Sequence, residues 1–381
     1  MSCTYPIRGW RAKNPSASGK RPIVFDPKKG NLDEEIEIPC GKCIHCRLED
    51  SRVKAVRCTH EASCFDNNCF ITLTYDNGNV PADGSLVKKH FQDFMKNVRY
   101  RLVPTNPYTP RSLPAAYFSE SARELHRLRF DDWQYRNGIR YFMCGEYGQD
   151  QELLKQGIDK IGRPHYHALL FNYSPMDQAT SALVENVGTE DEAFEKQKIT
   201  NKYGLVGRVE NSKTGEPQYL SSIIQESWNK GRTRVSSMSF ESAAYVARYT
   251  TKKIDKGITL EQEQAFVEHY SKYDEESGSV YLVEPEYGDA SRRPGIGRIW
   301  YDRYKQDLRK GYITVNGNKL PIPKYYLNLM ENDIDLSADA ANIRQQHKEF
   351  MARKNGSEYD SSRYRAKDHI KLKQLKQLKR D

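Results

Sequence analysis

Phe70-Ile71-Thr72-Leu73-Thr74-Tyr75, halted by Asp76-Asn77-Gly78, is the stretch from which the fold is read. β-Branched and aromatic residues ended by a turn cluster predict a strand. Two more strands are expected at residues 140–146 and 165–172, joined by a polar, glycine-containing hairpin connection. Between the first strand and these, Ser85 stands as the N-cap of a helix to about Leu102. Leu86, Phe91, Phe94, Met95 and Val98 lie near helical spacing there. Pro104, Pro107, Pro110 and Pro114 mark residues 103–137 as an irregular insertion. Further on, a helix is expected around residues 177–186, then a flexible charged stretch to about 217 and a short strand near 233–238. Ser239 caps a helix from Phe240 to about Ile254, with Glu241 in its first turn. Upstream, a helix is expected over residues 47–62. The order β-α-β-β-α-β predicts an α+β domain around an antiparallel sheet.

The chain has 381 residues, of which 29% are charged, and a formal net charge of +9. That length can bury a sizeable core, and the basic balance points toward polyanionic partners. Eight Lys/Arg residues fall between Arg363 and Arg380, so much of the excess belongs to a C-terminal tail. The tail reads as a solvated helix or frayed end, or as a source of salt-sensitive, sequence-independent DNA affinity. No apolar run approaches the roughly 20 residues of a membrane helix, and residues 1–20 lack the apolar stretch of a secretory signal. A soluble, intracellular protein with no membrane partner is expected. Seven of the eight cysteines precede residue 70, a clustering that favours free thiols or a metal over a disulfide scaffold.

In the strand at residues 165–172, His165 and His167 project from one face about 7 Å apart along the backbone. Tyr166, Ala168 and Leu170 take the other face. Two imidazoles so placed can chelate a divalent ion, and Glu146, ending the preceding strand, is the best local third ligand. A carboxylate with two imidazoles suits Mg²⁺ or Mn²⁺ as well as Zn²⁺. The competing reading makes the histidines polar residues at the edge of a core that includes Leu169 and Phe171.

In Tyr245-Val246-Ala247-Arg248-Tyr249-Thr250-Thr251-Lys252-Lys253, the two phenols are stacked neighbours on one helical face, shared by Lys252. Phe240, Ala243, Ala247 and Ile254 supply a different face for the core. A phenol is a poor nucleophile at its usual pKa of about 10, but beside a metal-polarised phosphodiester its attack becomes feasible. Such attack gives a covalent phosphotyrosine, releases a 3′-hydroxyl and retains bond energy for rejoining. A second phenol one turn away can attack again while the first holds its strand. Lys252 is placed to stabilise phosphate charge.

Three stretches together, Phe70–Thr74, Gly162-Arg163-Pro164-His165-Tyr166-His167 and Tyr245–Tyr249, resemble the three motifs of HUH rolling-circle replication initiators. Pro39-Cys40-Gly41-Lys42-Cys43, Cys144-Gly145-Glu146-Tyr147-Gly148, Glu241-Ser242-Ala243-Ala244 and Ser291-Arg292-Arg293-Pro294-Gly295-Ile296-Gly297 narrow the resemblance to the initiators of gokushovirus-like microviruses. It spans roughly residues 39–305. The resemblance implies a ferredoxin-like antiparallel sheet with flanking helices, the HUH endonuclease fold, plus an N-terminal Cys-rich module and a C-terminal extension. It implies nicking of a viral DNA origin, covalent 5′ attachment through Tyr245 or Tyr249, and recircularisation of the displaced strand. His165 and His167 would bind the metal, and the setting would be the host bacterial cytoplasm. The expected division is residues 1–69, a core at 70–256, and 257–381. No G-x-x-x-x-G-K-[ST] helicase signature is present, so unwinding is expected from a host helicase working with the host replication machinery.

Two lesser features complete the reading. Cys40, Cys43 and Cys46, with Cys58 following, can supply a tetrahedral structural Zn²⁺ site, or can be reduced thiols. Arg292, Arg293 and Arg298 form a candidate phosphate-contact loop, or an ordinary solvated one. Trp300, Tyr301 and Tyr304 stand near it for base stacking. Arg163, Arg248 and Lys253 are further DNA-contact candidates beside the motifs.

Overall fold

Burial alternates along Asn68–Tyr75, with Cys69, Ile71, Leu73 and Tyr75 inward on one face and Phe70, Thr72 and Thr74 half-buried on the other. This strand lies inside an antiparallel sheet. In the computed structural model, the described residues are 3–16, 19, 21–108, 120–149, 161–175, 199–201, 204–210, 217–248, 260–273, 278–355, 366–367, 369–371 and 373–374. They fall into two compact units, residues 1–53 with 305–381, and residues 54–304.

Among the described residues, the sheet of the second unit has eight strands. Their order is Tyr287–Ala290, Arg140–Gln149, Ile161–Phe171, Asn68–Tyr75, Gly231–Ser237, Pro217–Ser221, Gly204–Glu210 and Ile199–Asn201. Each neighbouring pair runs antiparallel. The central strand Ile161–Phe171 is buried on both sides. Tyr166, Ala168 and Leu170 enter an apolar cluster with Phe91, Phe94, Met95 and Val98 of the helix Lys88–Leu102 and with Trp228. Leu169 and Phe171 enter a second cluster with Ala243, Val246 and Ala247 of the helix Phe240–Ala247. Each fully buried large apolar side chain stabilises the fold by about 1.5–3 kcal/mol, so the strand is anchored from two directions. The mixed α+β architecture expected from the sequence is what forms.

Register is held closely at one corner. Gly231 has φ of 145°, and a Cβ there would lie 2.3 Å from Asp76 N and from Thr74 O. Only glycine lets Gly231–Ser237 begin flush against the end of Asn68–Tyr75.

Several expectations require correction. Ser85 does not cap the helix: its hydroxyl accepts from Glu284 N at 2.8 Å, and the N-cap position is extended Val87 with no side-chain bond. The second half of the supposed irregular insertion is the helix Glu120–Asn137, because the prolines end at Pro114 and good helix formers follow. Part of the stretch read as flexible to about 217 forms strands, their polar composition hiding a backbone ladder from Val206↔Ser221 to Glu210↔Pro217. The short helix Ser222–Trp228, capped by Ser221, is an element that the sequence reading lacks. The helix expected at 177–186 lies outside the described residues, as does most of the basic tail. Elsewhere the agreement is close: Ile44–Ala62 is helical, and Ser239 caps Phe240–Ala247 through a reciprocal box with Ser242.

The first unit holds a small sheet in the order Ile23–Val24, Ile7–Ala12, Gly30–Ile38, and a hairpin of Tyr312–Val315 with Asn318–Pro321. It also holds the helices Lys324–Glu331 and Ser337–Asn355. Among the described residues, no helix is long and apolar enough to cross a membrane.

Candidate active site

Strand register builds the first part of the site. Glu146 pairs with His165, and Thr72 pairs with His167, so all four side chains rise from one face of three adjacent strands. Glu146 is buried, His167 nearly so and His165 slightly more open. Oε1 of Glu146 lies 3.4 Å from Nε2 of His165 and 3.2 Å from Nε2 of His167. The three ligand atoms are mutually within 4.8 Å.

The outer nitrogens are also held. Nδ1 of His165 lies 3.2 Å from the carbonyl of Arg163. A carbonyl only accepts, so Nδ1 carries the proton and, in the neutral ring, Nε2 turns its lone pair toward Glu146. Nδ1 of His167 lies 3.0 Å from the Thr72 hydroxyl. Such outer partners are what aim metal-binding imidazoles. Phe70 stacks on His167, with centroids 5.5 Å apart and planes 8° from parallel, fixing the ring from its face.

Two lone pairs converging on a carboxylate oxygen repel one another unless a cation lies among them. Adjacent ligands about 2.1 Å from a divalent ion sit roughly 3 Å apart, which is the spacing found. The set fits an ion and suits Zn²⁺, Mg²⁺ or Mn²⁺ by ligand type.

The helix Phe240–Ala247 supplies the fourth group. Ala243, Val246 and Ala247 face the apolar cluster, and the small side chains let the helix lie close to the sheet. Tyr245, half-buried, reaches down beside them. Its hydroxyl donates to Glu146 Oε1 at 2.9 Å and lies 3.4 Å from His167 Nε2. Its ring meets His167 and Phe70 edge-on. Arg248, at the helix C-cap, places its guanidinium 5.8 Å from the Tyr245 ring centroid. Tyr249, Lys252 and Lys253 lie outside the described residues.

The other expected contacts are more widely distributed. Arg163 donates to Tyr75 O at 2.8 Å and to Asn77 Oδ1, tying down the turn after the first strand. Arg292 pairs with Asp289 at 3.0 Å and Arg298 with Asp302 at 2.9 Å, while Arg293 is exposed. The loop carrying them is pinned from below. Buried Glu61 accepts from Arg140 Nε and from Gly297 N, and Arg57 donates twice to Ile296 O. Among the cysteines, Cys40, Cys43 and Cys46 do assemble, but Cys3 completes the group. Cys58 is instead fully buried in the second apolar cluster, where burial pushes its thiol up. Sequence reasoning missed Phe70 and Thr72 as supports of His167, although alternation along Asn68–Tyr75 put both on the histidine face.

With this geometry in view, the comparisons with known proteins are specific. Residues 68–254, which enclose Glu146, both histidines and both tyrosines, match the family model of the replication-associated protein ORF2. The replication-associated protein VP4 of Bdellovibrio phage phiMH2K is 28% identical over 329 residues, covering 86% of this chain and 76% of that protein. The chain is a relative of the gokushovirus-like replication-associated proteins. The replication-associated protein ORF2 of Spiroplasma virus 4 is 27% identical, covering 81% of this chain and 72% of its own length. The replication-associated protein ORF4 of Chlamydia phage 1 is 24% identical over 77% of this chain and 53% of that protein. No solved structure matches the chain significantly.

Proposed function

We propose that this chain initiates rolling-circle replication by nicking a viral origin strand, linking itself covalently to the new 5′ end, and rejoining the displaced strand. The carrying observation is the Tyr245 hydroxyl, 2.9 Å from Glu146 Oε1 and 3.4 Å from His167 Nε2, at the mouth of the three-ligand group. The chain order β-α-β-β-α-β supports a ferredoxin-like, HUH endonuclease core. So does the strand order Gly231–Ser237, Asn68–Tyr75, Ile161–Phe171, Arg140–Gln149.

His165, His167 and Glu146 would hold the divalent ion, Mg²⁺ or Mn²⁺, which when bound would polarise the scissile phosphate and offset its developing charge. The chain's residues do the rest. Phe70 and the helix packing present the Tyr245 oxygen to the phosphorus. As the Oη–P bond forms and the P–O3′ bond breaks, the phenolic proton leaves along the hydrogen bond already made to Glu146, and the departing 3′ oxygen takes up a proton. The 3′-hydroxyl of a later strand reverses these changes and releases the tyrosine. Tyr249 would serve as the second nucleophile, with Lys252 stabilising phosphate charge. Arg163, Arg248, Lys253 and the Arg292, Arg293 and Arg298 loop would contact DNA. The catalytic core would be residues 70–256. A host helicase would unwind the duplex in the bacterial cytoplasm.

The test is a covalent-capture assay with single-stranded segments of the replicon that encodes the chain, plus Mn²⁺. The expected result is a denaturation-resistant adduct on the 5′ product, mapped by mass spectrometry to Tyr245 or Tyr249. An adduct of undiminished yield from the double variant Tyr245→Phe, Tyr249→Phe would end the nucleophile assignment.

A further inference from the structure

We propose that Cys3, Cys40, Cys43 and Cys46 hold a structural Zn²⁺ ion that fastens the N-terminal sheet, separate from the histidine site.

Sheet register makes the site possible. Ile7 pairs with Ile38 and Arg8 with Glu37 in the antiparallel ladder of Ile7–Ala12 and Gly30–Ile38. Continuing that ladder past Ile7 carries Cys3 to the turn that contains Cys40 and Cys43. Cys46 then enters from the first turn of the helix Ile44–Ala62. A residue 37 positions away from Cys40 in sequence thus becomes the fourth sulphur.

The distances suit one ion. All four Sγ atoms lie within 4.8 Å of one another, and Cys3 and Cys43 are 3.9 Å apart. A tetrahedral zinc with Zn–S of about 2.3 Å places its sulphurs about 3.8 Å apart. Four mutually close sulphurs are one set of ligands, not the two separate pairs that disulfides require. Amide groups also point at the sulphurs: Cys40 N donates to Cys3 Sγ at 3.2 Å and Cys43 N to Cys40 Sγ at 3.3 Å. Gly41, at φ of 73°, makes the tight turn that aims the second of these. Amide donors favour the thiolate that zinc needs. Burial pushes the Cys43 thiol up, yet hydrogen bonds from the Thr4 and Cys46 backbone and from Cys46 and Cys40 side chains bring it down to about 7.

The sheet has reason to need a fastener. Ile7, Ile23, Phe25 and Leu32 are exposed, so this three-stranded element buries little apolar surface of its own. Small elements with thin cores commonly depend on a metal or cross-links, and binding free energy at such a site is folding free energy.

The experiment measures zinc in the full-length chain by elemental analysis after dialysis against EDTA. Roughly one zinc per chain is expected. A His165→Ala, His167→Ala variant should keep it, Cys58→Ser should keep it, and Cys3→Ser should lower it about tenfold or more. Should Cys3→Ser fold poorly, the wild-type chain loaded with Co²⁺ gives a second readout, thiolate-to-cobalt charge-transfer absorption. A zinc-free wild-type chain, zinc lost with the histidines and kept in Cys3→Ser, cobalt without thiolate bands, or an intact mass showing bridged cysteines would each overturn the proposal.

Discussion

Tyr245 and Glu146, 99 residues apart, are joined by a 2.9 Å hydrogen bond onto the same carboxylate oxygen that faces both histidines. One atom therefore links the proposed metal shell on the sheet to the proposed nucleophile on the helix. Glu146→Gln keeps the shape but replaces the anion with a neutral amide. Mn²⁺ affinity should fall by at least the roughly 10–100-fold that loss of an outer-shell partner costs. Adduct yield at fixed Mn²⁺ should fall with it. Calorimetric Mn²⁺ titration reads the affinity, and an unchanged value would remove Glu146 from the ligand set.

Thr72→Val deletes the hydroxyl 3.0 Å from Nδ1 of His167 with little change in shape. The ring then keeps its Phe70 stack but loses the partner that fixes its rotation. Mn²⁺ affinity is expected to drop about 10–100-fold, with Thr72→Ser restoring most of it. Thermal denaturation should barely move, since Thr72 is only half-buried. Wild-type affinity in Thr72→Val would assign the orientation of His167 to Phe70 alone.

The buried pair Glu61–Arg140 should dominate the stability of the loop at residues 294–297. Both side chains are almost inaccessible, and the same two residues bond Gly297 N and Pro294 O. Glu61→Gln leaves Arg140 charged and buried without its counter-ion, a loss of about 3–5 kcal/mol. Replacing the pair together, Glu61→Leu with Arg140→Met, should cost less than the single change. Urea unfolding of the three proteins measures this, and an additive double variant would show that the two side chains are not coupled.

How far the sequence could be read depended on whether a feature was local. The strand at Phe70–Tyr75, the faces of His165 and His167, and the Ser239 cap follow from alternation and short-range hydrogen bonding, and all three were legible. Glu146 could be named because a hairpin brings its strand back against the histidines. Cys3 could not be, because its partners are set by a ladder between distant strands, and Cys58, nearer in sequence, points into an apolar cluster instead. The polar strand Gly204–Glu210 was hidden for a similar reason, since backbone pairing leaves no mark on composition. Ser85 misled because a serine before an apolar run suits a cap and a distant backbone amide equally well.

His60 gives the molecule a pH dependence with a definite sign. Its ring is buried and stacked on Trp300, with centroids 3.8 Å apart and planes 12° from parallel. Burial holds its pKa down from 6.5 to about 4. Below pH 6.5 the unfolded chain takes up a proton that the folded chain refuses until about pH 4, so unfolding is favoured as pH falls through that window. Above that window the contribution is constant. Across it, about 3 kcal/mol is removed at 1.36 kcal/mol per pH unit. His60→Phe retains an aromatic stack without the titration. The urea midpoint of wild type should therefore fall more steeply than that of His60→Phe between pH 6.5 and 4, and run parallel to it above about pH 7. Parallel profiles throughout would mean that the folded protein accepts the proton as readily as the unfolded chain, and the burial account of His60 would fail.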